Sequence, residues 1–108
     1  MDYKIYQSLR FKQELSKFDK GLQDRVEKIK DELVKNPYSG KPLGVNWFRE
    51  KRYENYRLYY LVYENLQSVF MAGISNKKDQ QKTINTIRLL LDFFKQELEN
   101  LIKRDKST

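Results

Sequence analysis

Residues 47–74 leave the chain little choice of local structure. Three runs rich in aromatic and β-branched side chains, Trp47 to Tyr53, Tyr56 to Tyr63 and Leu66 to Ile74, are separated only by Glu54-Asn55 and Glu64-Asn65. The tripeptide Tyr-Glu-Asn occupies 53–55 and again 63–65, and each copy falls where a turn is needed. Such side chains suit a pleated, half-buried surface, and Asn favours tight turns. The block predicts a three-stranded antiparallel meander.

The flanks read differently. Residues 3–7 suit a short strand, with Tyr3, Ile5 and Gln7 on one side and Lys4 and Tyr6 on the other. Phe11, Leu15 and Phe18 have helical spacing, and Leu22, Val26, Ile29 and Leu33 form a second apolar stripe. Gly21 suggests the break between two antiparallel helices, and Asn36-Pro37 ends the second, because the residue before proline avoids the α region. Asn36 to Asn46 reads as a loop. Its Gly40-Lys41-Pro42 is not a phosphate-binding loop, since the upstream glycine and the hydroxyl residue after the lysine are missing.

Residues 78–104 read as one long helix, with Ile84, Ile87, Leu91, Phe94, Leu98 and Leu101 in a heptad-like seam. Two roles stay open for its distal half. It docks on its own sheet, or Leu91, Phe94, Leu98 and Leu101 contact another copy or a partner helix. The fold class is α+β in a single domain spanning 1–108: an antiparallel sheet, made of the first strand plus the meander, packed against an N-terminal helical hairpin, with a long C-terminal helix.

The 108 residues include no histidine and no cysteine. That removes disulfides, thiol nucleophiles, the commonest general base and the ligands a zinc site needs. Catalysis would have to run on Lys, Arg, Tyr and carboxylates, with no metal and no cofactor. The net charge of +7 draws the chain towards polyanions, nucleic acid before an acidic protein. No apolar run approaches the ~20 residues that cross a bilayer, and the N-terminus lacks a signal-peptide core, so a cytoplasmic protein is expected.

Strand alternation sorts the charges. Arg49, Lys51 and Tyr53 fall on one side of their strand, and Glu50 and Arg52 on the other. In the next strand Arg57 shares a side with Tyr59 and Leu61, opposite Tyr56, Leu58 and Tyr60. An arginine inside an apolar strand is costly unless it meets an anion at an open face. Lys77 and Lys78 follow the third strand and add charge there. Glu50 or Glu54 could neutralise the neighbouring arginines. Most tyrosines suit core or sheet pairing, and a minority could stack on unpaired bases.

The order of elements resembles the RelE/ParE superfamily of toxins from toxin–antitoxin systems. The marks are Asn36-Pro37, then Gly40-Lys41-Pro42-Leu43, then Glu50-x-Arg52 before Tyr56-Arg57-Leu58, and last Gly73-Ile74-Ser75 running into Lys77-Lys78. The resemblance covers about residues 3–82. It implies a ribosome-dependent mRNA endonuclease, working through the RNA's own 2′-hydroxyl and held in check by a cognate antitoxin. A DNA gyrase inhibitor of ParE type and a non-catalytic binding module are the alternatives. The implied catalytic set is Arg57, Arg52, Lys51, Arg49 and Lys77, with Lys78, Tyr53, Tyr56 and Lys41 as RNA-binding candidates. Asn76-Lys77 stands where the superfamily commonly has His-Arg, and Gln81 where many members have a tyrosine. A lysine with Tyr53 or Tyr56 would then have to supply the acid and base.

Overall fold

The computed structural model describes residues 2–107. Its elements are β1 (Lys4–Gln7), α1 (Leu9–Leu15), α2 (Lys20–Lys35), β2 (Lys41–Pro42), β3 (Phe48–Tyr53), β4 (Tyr56–Tyr63), β5 (Ser68–Asn76), α3 (Gln80–Leu89) and α4 (Leu91–Lys106), with a 3₁₀ turn at 64–66 between β4 and β5. The meander is present, and the two residues of Lys41–Pro42 extend it as an edge strand.

The sheet order is β1-β5-β4-β3-β2. The first strand pairs with β5 in parallel, so the sheet is mixed where an antiparallel one was expected. Beyond the end of β1, α1 takes over the edge of β5. The Ser8 hydroxyl donates to Ala72 O at 3.4 Å, and the Glu14 carboxylate accepts from Ile74 N at 3.3 Å.

The starts of α1 and α2 are set by side-chain caps, which satisfy backbone N–H groups that lack partners within the helix. Ser8 accepts from Phe11 N, and Asp19 accepts from Leu22 N. The Asp19 cap moves the break between the helices to residues 16–19, so Gly21 lies inside the first turn of α2 rather than at the joint.

Both sheet faces are covered. Phe11, Leu22, Val26, Ile29 and Leu33 from the N-terminal helices pack on Leu58, Tyr60, Val62, Val69 and Met71. On the opposite face Ile84, Ile87, Phe94 and Leu98 pack on Phe48, Tyr59, Leu61, Phe70 and Ala72. The C-terminal segment is two helices rather than one, broken at Leu90, whose N–H bonds to Thr86 O and Ile87 O. A straight helix over 78–104 would run about 40 Å at 1.5 Å per residue. The eight residues of β4 span only about 27 Å at 3.4 Å per residue. The break keeps both ends of the apolar seam on the sheet. Phe94 and Leu98 are fully buried there and Leu91 and Leu101 half-buried, so the seam is used within the chain.

Candidate functional site

The helices leave one end of the sheet open, at the β3–β4 hairpin. Glu54 adopts a left-handed φ of 52° in the two-residue turn Glu54-Asn55, which brings the strands back in tight register. Arg52 and Arg57 therefore stand directly opposite each other, and Arg57 is opposite Ser75 on the next strand. Both arginines lie on the α3/α4 side, since Arg57 alternates with Tyr59 and Arg52 with Phe48 and Glu50. Like charges facing each other across a sheet are unfavourable without an anion.

The anion at hand is Glu50, whose side chain is fully buried. One carboxylate oxygen accepts from Gln80 Nε2, on the first turn of α3, at 2.9 Å. The other lies 3.5 Å from Arg52 Nε, as an ion pair without hydrogen-bond alignment, and has no hydrogen-bond partner among the described residues. Arg57 is almost as buried. Its Nη1 donates to Glu54 O and Tyr56 O at 3.2 and 3.1 Å, while its buried Nε has no partner among the described residues. The Ser75 hydroxyl donates to Asn76 O, so the Tyr59 hydroxyl, 2.8 Å away, donates to Ser75. Burial pushes the Tyr59 phenol up, against the lowering effect of its bond to Ser75. It therefore stays a donor.

Lys77 N donates to Asn55 O at 2.7 Å, which ties the exit of β5 to the hairpin and sets Lys77 beside the arginines. The side chains of Lys77 and Lys78 are exposed. Lys41 is exposed too and pairs in register with Glu50.

The remaining candidates lie on the other face. Arg49 is buried, and its guanidinium donates to Gly40 O, Asn46 O, Asn46 Oδ1 and Tyr38 O, all between 2.8 and 2.9 Å. It holds the 38–46 loop against β3. Gly40 is required in that loop, because a Cβ there would fall 2.5 Å from Glu50 O and 2.6 Å from the Tyr60 hydroxyl. Lys51 pairs with Glu32 of α2 at 3.3 Å. Tyr53 lies under the Arg25 guanidinium, and Tyr56 packs edge-on against Phe18. The structure thus gathers Arg52, Arg57 and Lys77, and turns Arg49, Lys51, Tyr53 and Tyr56 away from them. Neither tyrosine is placed to share a proton with a substrate at the arginine pair. Strand alternation put Glu50 on the side of Arg52. Nothing in the sequence showed that Gln80 would hold it or that it would be fully buried.

No family model matches this chain, and no curated protein sequence matches it. Solved structures do. A double mutant of toxin RelE from E. coli, in the free state, superposes with a TM-score of 0.69 at 19% identity, over 79% of this chain and 93% of that one. The fold is that of RelE. The intact E. coli RelBE toxin–antitoxin complex matches with a TM-score of 0.63 at 20% identity, over 68% of this chain and 95% of that chain. The archaeal RelE–RelB complex from Pyrococcus horikoshii matches with a TM-score of 0.62 at 18% identity, over 70% and 96%. The RelE fold is thus present here nearly whole, and at these identities the likeness is one of fold. On it, the arginine pair occupies the end of the sheet that the helices leave open.

Proposed function

We propose that this chain is a RelE-like toxin, an endoribonuclease that cuts mRNA on the ribosome and is neutralised by an antitoxin protein. The observation that carries the reading is the cross-strand pair Arg52–Arg57 on a RelE fold. A buried guanidinium with an unpartnered Nε, beside a half-exposed second one, suits a phosphate, which takes planar paired donors well. Attack of a 2′-hydroxyl on the adjacent phosphorus builds negative charge on the phosphoryl oxygens. Cations fixed in advance stabilise that charge. Lys77 and Lys78 extend the positive field along the RNA backbone.

The ribosome enters through the fold likeness and through the openness of the site. An RNA lying on an exposed hairpin needs outside support to hold its backbone in line for attack. The antitoxin enters through the neighbours, several of which are RelE–RelB complexes. An acidic or amphipathic segment is the natural counterpart of a chain with net charge +7. The arginine pair favours RNA over a gyrase target, which needs no phosphate clamp.

Induced expression tests the reading. Amino-acid incorporation should stop within minutes, and Arg57→Ala, shown folded by circular dichroism, should not stop it. An Arg57→Ala protein as inhibitory as the parent would contradict the assignment.

A further inference from the structure

The nuclease reading leaves the proton unassigned, and the geometry points to Glu50. We infer that Glu50 is the general base of the site, exposed when the Arg52 guanidinium turns from it to the RNA phosphate. The inference rests on the nuclease reading.

The chain has no histidine. Lys51 is paired with Glu32, and Tyr53 and Tyr56 are packed on the opposite face. The Tyr59 hydroxyl is committed to Ser75. Glu50 is the carboxylate that the structure sets directly against Arg52. A buried carboxylate oxygen without a hydrogen bond is costly, because it has lost water and gained no donor. A catalytic role is one reason for a fold to keep such an atom. Gln80 fixes the second oxygen, which aims the first. The cover over the free oxygen is Arg52, whose side chain is 56% exposed, so it can swing out towards an anion. One movement would then place a cation on the phosphate and uncover the base.

The step balances. The Glu50 carboxylate takes the proton of the 2′-hydroxyl, and the O2′–P bond forms as the P–O5′ bond breaks. The leaving 5′ oxygen takes a proton from water, and Glu50 returns its own to the hydroxide left behind. The products are a 2′,3′-cyclic phosphate and a 5′-hydroxyl. The charged and titratable groups around Glu50 are Arg52 on its own strand, Arg57 and Tyr59 on β4, and Lys41 on β2; Gln80 of α3 is neutral.

The test is single-turnover cleavage of a short mRNA in the A site of programmed ribosomes, across pH, for the parent, Glu50→Gln, Glu50→Asp and Arg57→Ala. Glu50→Gln keeps the size and an oxygen for Gln80. It should cut about 10²- to 10⁴-fold more slowly, the usual worth of a general base. Ribosome binding should stay within about threefold, a change under 1 kcal/mol, and the acid limb of the rate profile should vanish. Glu50→Asp should keep that limb at a reduced rate. If Glu50→Gln cuts at the parent's rate, or retains its acid limb, Glu50 only balances the arginines and the inference is wrong. Should Glu50→Gln fail to fold, Glu50→Asp decides: an unchanged rate and profile also overturns it. A parent protein that cuts nothing overturns the nuclease reading itself, which separates the two failures.

Discussion

Two arginines three residues apart on one strand do different work, and each is decided by what surrounds its guanidinium. Arg49 makes four hydrogen bonds to the 38–46 loop and rests on the Tyr38 ring. Arg52 makes one loose ion pair and keeps more than half of its side-chain surface in water. Arg49→Ala would take the guanidinium donor from the buried Gly40 carbonyl and release the Tyr38 and Asn46 oxygens of the loop. It should lower the unfolding free energy by about 2–3 kcal/mol, measured by urea denaturation, and Arg52→Ala should lower it by less than about 1 kcal/mol. Equal losses would show that Arg49 does not hold the loop. Alternation made legible which residues share a side: Arg49 with Lys51 and Tyr53, Arg52 with Glu50. It did not reveal which side would stay open. That depends on α2 reaching far enough along the sheet for Glu32 and Arg25 to meet Lys51 and Tyr53.

At the scale of elements, hydrophobic spacing located the helices and strands, while their ends and partners came from contacts that spacing does not encode. The apolar seam from Ile84 to Leu101 was legible as helix. Its break at Leu90 carries no Gly or Pro signal and follows from the short sheet it must cover. The break between α1 and α2 was placed at Gly21 by residue type and is set by the Asp19 cap instead. The seam also left open whether α4 serves another chain. In the structure Leu98 is fully buried against the chain's own sheet. Leu98→Ala should therefore cost about 2–5 kcal/mol through the cavity it leaves, with a urea midpoint independent of protein concentration. A midpoint that rises with concentration would mean that the stability of α4 depends on a second copy.

For the whole molecule, topology makes the site. The parallel insertion of β1 beside β5 was not legible, because four residues carry no signal for pairing partner or direction. The two helical layers cover both faces of that sheet, and at its hairpin end Arg52 and Arg57 stand opposite each other with Glu50 buried against Arg52. The motif Glu50-x-Arg52 before Tyr56-Arg57 was legible as a cluster of charge. The pairing of Glu50 with Gln80 needed the fold, because it joins residues thirty positions apart. The central claim is that this open end cleaves RNA on the ribosome. Primer extension on an mRNA carried by translating ribosomes tests it most directly. The account predicts new 5′ ends within A-site codons, absent from the same RNA without ribosomes and lost with Arg57→Ala. An extension pattern unchanged by folded protein, or cuts that persist with Arg57→Ala, would contradict it.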